Sequence, residues 1–177
     1  DDIVQTEDKI FVIPYDSYPE RAFKNTFIEE GELYLAPDGV IGIPFLIDPL
    51  VMYWNRDIFS SNGVARPPEF WDEFFTLAPL ITKKDEALNI TKSAIAFGEF
   101  QNVTNAKEIL SALIIQAGNP ITNRSTAGIQ SIFGERLGFA ISPAESALRF
   151  YTEFSNPVKD VYSWNKSMPD SREAFLA

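Results

Sequence analysis

The run IPFLIDPLVMYWNRDIFSSNGVARPPEFWDEF, Ile43 to Phe74, constrains this chain most. Leu50 to Trp54 is a continuous apolar segment, the composition of a strand covered on both faces. Asp57 to Asn62 follows as a short helix ending at Gly63. Pro67 and Pro68 break the chain before EFWDEFFTLAPL, where Phe70, Phe74 and Leu77 fall on one helical face, with Trp71, Phe75 and Ala78 beside it. Trp54 and Trp71 are assigned to core and helix packing, and Tyr53 to the interior of the apolar strand.

The remaining chain repeats this alternation. FVIP (Phe11 to Pro14) is a short strand. Phe23, Phe27 and Ile28 mark a helix that stops at Gly31, and ELYLAPDGVIGIP gives two short strands joined at Pro37, Asp38 and Gly39. Ser93 to Gly98 (SAIAFG) is a buried strand. Lys107 to Ala117 is a helix with Ile109, Leu110, Leu113 and Ile114 inward and Gly118 as its stop. Ser142, Pro143 and Glu145 have the spacing of a capping box for a helix that Pro157 ends. Asp170 or Ser171 caps a last helix, SREAFLA. Thr82 to Thr91 and Ile121 to Leu137 are the least structured segments. Strands alternating with helices predict an α/β architecture with much parallel sheet.

Composition removes several function classes. The 177 residues include no Cys and no His, which excludes thiol nucleophiles, Ser-His-Asp triads and His-Cys zinc sites. The net charge of -10 opposes phosphate neutralisation, so nucleic acid is not an expected partner. An apolar share of 45% is enough for a real core. No apolar run reaches the ~18 residues that a membrane span needs. Four sequons, at Asn89, Asn102, Asn123 and Asn165, are read as chance in an Asn-rich chain. The chain starts abruptly at Asp1 and stops within an expected helix, so a piece of a longer protein is expected.

The order of these motifs resembles the extracellular solute-binding proteins of ATP-binding-cassette importers, family 1, the group that includes maltose-binding protein. Gly42-Ile43-Pro44, Asp48, Leu50 to Tyr53 and Asn55-Arg56-Asp57-Ile58-Phe59 are similar to the family's hinge-crossing segment. Gly63, Pro67-Pro68 and Trp71-Asp72-Glu73-Phe74 are similar to its next run. SAIAFG, QAGNPI, SPAESALRFYTEFS and SREAFLA continue the likeness from Gly39 to Ala177, whereas residues 1–38 match poorly. The resemblance implies a periplasmic-binding-protein-like (type II) lobe of three αβα layers, with a mixed or parallel sheet, as a fragment of a two-lobed fold. Residues 1–47 would be the tail of lobe one and the hinge strand, and 48–177 most of lobe two.

The same resemblance implies a non-enzymatic receptor without cofactor or metal. It would capture a small solute, a sugar or oligosaccharide, by closing two lobes around it. The implied partners are membrane permease subunits, and the implied location is extracytoplasmic, periplasmic or lipid-anchored, as a monomer. Sugar recognition needs paired polar groups for hydroxyls and aromatic faces for rings. The candidates are Asp48 at the hinge; Glu99, Gln101, Asn102 and Asn105 in the loop after SAIAFG; and Tyr162 and Trp164 in VYSWNKSMPDS. Each has a plainer reading: Asp48 as a turn cap before Pro49, Asn105 or Thr104 as a helix cap, Trp164 as a ring packed under a loop. Two other functions stay open. One is a glycoside hydrolase pairing Asp48 with Glu99, which needs carboxylates roughly 5–9.5 Å apart. The other is a non-catalytic protein-interaction module with an exposed aromatic patch.

Overall fold

The computed structural model describes residues 9–125 and 128–177. The expected N-terminal opening DDIVQTED lies outside the described residues. The chain divides into two compact units, Asp1–Pro49 and Leu50–Ala177.

In the first unit, β1 (Ile13–Pro14), β2 (Leu35–Ala36) and β3 (Gly39–Val40) form an antiparallel sheet in the order β1-β3-β2. Val40 stands opposite both Ile13 and Leu35 and is fully buried. The turn at Pro37 and Asp38 needs Gly39, because a Cβ there would collide with the Ile13 carbonyl oxygen. Helix α1 (Glu20–Thr26) delivers Phe23, also fully buried, against Phe27 at 4.8 Å between ring centroids. Gly31 lies within a 3-10 helix, Glu29–Tyr34, rather than ending α1. Lys24 pairs with Glu20 and Glu32 at 2.9 and 3.1 Å. Beyond β3 the chain is extended, and Phe45 and Leu46 are fully or largely exposed.

The second unit is built on helices. They are α2 (Arg56–Ser61), α3 (Phe74–Ile81), α4 (Ala106–Gln116), α5 (Pro143–Glu153) and α6 (Ser171–Leu176). Helix α2 starts where Asn55 Oδ1 accepts hydrogen bonds from the Asp57 and Ile58 amides at 3.0 and 3.1 Å. The turn before α3 is closed by Glu73, whose carboxylate accepts from the Glu69 and Phe70 amides. These bonds hold its pKa below the usual carboxylate range. Helix α4 buries Leu113 and Ile114 as its periodicity predicts. Helix α5 buries Ala144, Ala147 and Tyr151.

Phe97 is the hub of this core. Its ring lies 5.3 to 6.4 Å from those of Trp71, Phe74, Phe150, Tyr151 and Phe154. Phe154 is fully buried and stacks on Phe75 at 5.9 Å. Offset and edge-on pairs of this kind add stability beyond the area they bury. Gly98 follows Phe97 with φ +95°, and a Cβ at that position would sit 2.5 Å from Ser155. The glycine therefore lets the chain turn out of the core against the end of α5.

Four expectations need correction. The ladders among the described residues are all antiparallel: β1-β3-β2, then β4 (Lys83–Lys84) with β5 (Ile90–Lys92), then β6 (Thr122–Ser125) with β7 (Gly128–Ser131). No parallel sheet joins Leu50–Trp54 to Ser93–Gly98; both segments are extended without a ladder, since a strand needs a neighbour as well as a suitable composition. Tyr53 is 77% exposed, so it is not core. The segments expected to have least structure, Thr82 to Thr91 and Ile121 to Leu137, contain the β4–β5 and β6–β7 hairpins. Finally, Ser142 does not cap α5; its hydroxyl donates to the Phe133 carbonyl instead.

Candidate functional site

The loop after Phe97 is held from beneath. The Tyr151 hydroxyl donates to the Glu99 carbonyl at 2.7 Å, Ser155 Oγ to the Gly98 carbonyl at 3.1 Å, and Ser163 Oγ to the Ile95 carbonyl at 2.9 Å. Burial pushes the Tyr151 phenol up to about 12, and the nearby Glu99 carboxylate acts in the same direction.

Asn102 ties this loop to the one before α6. Its Nδ2 donates to the Asn165 and Met168 carbonyls at 3.0 and 2.9 Å, while Trp164 Nε1 donates to its Oδ1 at 3.2 Å. The Ser171 amide donates to the Asn102 carbonyl at 2.9 Å. The Thr104 amide donates to Ser171 Oγ, and the Thr104 hydroxyl to Asp170, which also caps α6 through the Arg172 amide. Two loops more than 60 positions apart in sequence thus form one polar joint.

The structure sorts the expected ligand contacts. Trp164 is 2% exposed, packed with Val103 and Ala106, so its ring belongs to the interior and the plainer reading holds for it. Every polar atom of the Asn102 side chain is spent on the joint. The Tyr162 hydroxyl accepts from Asn165 Nδ2 at 2.8 Å, and Lys84 Nζ lies 4.9 Å from the centre of its ring. Glu99, Gln101 and Asn105 differ: among the described residues their side chains have no hydrogen-bond partner. Gln101 and Asn105 are exposed, Glu99 is half-buried, and Phe100 between them is 66% exposed. Neither Asn105 nor Thr104 caps α4 through its side chain; Asn105 instead turns the backbone at φ 61°. Asparagine tolerates that left-handed geometry better than most residues. Asp48 lies exposed in the extended end of the first unit and bonds to no described residue.

A separate groove of about 430 Å³ opens in the second unit. One wall is Met52–Asn55, the facing wall Thr91–Ala96, and Trp164, Met168 and Phe175 close it. Of the expected contacts only Trp164 borders it. The sequence carried a signal for it, unused: two apolar stretches, Leu50–Trp54 and Ser93–Gly98, both suited to a sheet interior.

Residues 1–162 match the family of bacterial extracellular solute-binding proteins. The chain belongs to that family. Relatives in Brucella abortus strain 2308 and Brucella suis biovar 1, both provisionally named binding proteins, are 39% identical over 64 residues. That match covers 34% of this chain and 15% of each relative, so the 177 residues span less than half a relative's length. No solved structure matches. The mixture of helices and small sheets is consistent with the binding-protein fold of this family. Among the described residues no helix is long and apolar enough to cross a membrane.

Proposed function

We propose that this chain is part of an extracytoplasmic receptor that captures a sugar or oligosaccharide and hands it to the permease subunits of an ATP-binding-cassette importer. The receptor reads as a non-enzymatic monomer, periplasmic or lipid-anchored, with a type II lobe contributed by the second unit. Family membership over residues 1–162 supports the receptor class. The observation that carries the site is the division of labour in the loop after Gly98. Asn102 and Val103 anchor it inward, while Glu99, Gln101 and Asn105 present polar groups with no protein partner and Phe100 presents an exposed ring.

That set suits a sugar. A carboxylate and two amides accept and donate to hydroxyls, and an aromatic face covers the apolar face of a pyranose. Asp48 is proposed as a further contact from the hinge. Closure of two lobes would desolvate these bonds and raise their worth.

Titration calorimetry against a panel of mono- and oligosaccharides tests the reading. The expected result is weak or absent binding by the 177-residue chain, and binding by a polypeptide of its relatives' length that falls at least about tenfold in Glu99→Gln and Gln101→Ala. Full-strength binding by the short chain would contradict the two-lobe closure. Unchanged affinity in both variants would remove the loop from the site.

A further inference from the structure

The groove between Met52–Asn55 and Thr91–Ala96 has walls of a particular kind. Both are extended backbone outside any ladder over Met52–Trp54 and Ser93–Ala96. Among the described residues, the amides of Met52, Tyr53 and Trp54 have no hydrogen-bond acceptor, and neither do those of Ile95, Ala96 and Phe97. Ala94 reaches only a side chain, Thr82 Oγ1, at 3.3 Å. Yet Ile95 and Ala96 are half-buried and Phe97 is 5% exposed. Backbone amides withdrawn from water without partners cost free energy, and native chains pair nearly all of them. A small molecule offers a few polar atoms; two facing rows of N–H and C=O groups need a partner that repeats along its length. A β-strand is that partner, presenting donors and acceptors to both sides at the strand spacing of about 4.8 Å.

We propose that the groove receives a β-strand from the same polypeptide, supplied by a segment outside residues 1–177. The strand lies between Met52–Trp54 and Ile95–Phe97 and joins them into one sheet. The source rests on the proposed reading of this chain as part of a longer receptor. The Brucella relatives are more than twice as long as this chain, so a receptor of their length has the polypeptide to supply it. The lining sets the strand's chemistry. Trp54, Ile95 and Trp164 admit small or branched apolar side chains, with the main chain carrying the recognition. Tyr53 and Phe175, 6.3 Å apart at the rim, lose exposure as it docks.

Backbone hydrogen exchange tests this, comparing the 177-residue chain with a polypeptide of its relatives' length, both without added sugar. In the short chain the amides of Met52–Trp54 and Ile95–Phe97 exchange rapidly. In the longer form both sets slow by at least about 100-fold, the protection of a sheet interior. Equal exchange in the two forms would overturn the proposal, as would slowing on one wall only, which places the new strand at an edge. Sugar titration on the same samples reads the receptor proposal separately: a longer form that protects both walls yet binds no sugar keeps the strand and loses the sugar.

Discussion

Trp164 Nε1 donates to Asn102 Oδ1 at 3.2 Å, so the largest buried ring of the second unit is oriented by a side chain 62 positions earlier. The same Asn102 holds the Asn165 and Met168 carbonyls, on either side of the turn that follows the ring. Asn102→Ala is therefore expected to destabilise the protein by about 2 kcal/mol, because two carbonyls and an indole lose their partner. Asn102→Asp is expected to cost more, since a carboxylate cannot donate to carbonyls. Urea midpoints of the two variants check the order.

Gly98→Ala combines a left-handed backbone with a Cβ placed 2.5 Å from Ser155. The expected loss is about 2 kcal/mol or more, larger than for an ordinary glycine in a loop. Gly98→Ala with Ser155→Gly relieves the collision but not the backbone strain. The double variant should recover only part of the loss on thermal unfolding.

The Tyr151 phenol titrates near 10 in an unfolded chain and at about 12 in the fold, because burial disfavours the phenolate. Its folded pKa is raised, so its contribution is complete below pH 10 and lost as pH rises toward 12. The wild type is expected to lose stability across that window, by up to roughly 2.7 kcal/mol from this group. Tyr151→Phe should unfold more easily at pH 8, having lost the bond to the Glu99 carbonyl. Between pH 10 and 12 it should show a shallower decline. Urea denaturation at pH 8, 10 and 11.5 measures both.

Asn55 satisfies two otherwise free amides at the start of α2. Asn55→Ala is expected to cost about 1 kcal/mol, and Asn55→Ser or Asn55→Asp to restore most of it. Chemical denaturation ranks the four proteins.

Phe97→Ala removes the ring that five other aromatics touch. A loss of about 3–5 kcal/mol is expected, the range for emptying a buried aromatic site. Phe97→Leu should lose less, and the near-ultraviolet circular dichroism of the cluster should weaken in both.

What the residues determined alone is the local structure. The amphipathic spacing of Lys107–Ala117, the Asn55 cap, the Asp170 cap and the glycine stop at Gly118 are each written within a few residues, and the helices form close to where that pattern places them. The order of motifs was likewise enough to place the chain in its family. Pairing was decided only in three dimensions. Leu50–Trp54 and Ser93–Gly98 have the composition of sheet interiors, yet a ladder exists only where a second strand lies at hydrogen-bonding distance, which composition does not specify. The site divided in the same way. Trp164 and Asn102 look alike in sequence to residues that meet a ligand; it was the meeting of two distant loops that turned one inward and spent every polar atom of the other, leaving Glu99, Gln101 and Asn105 free.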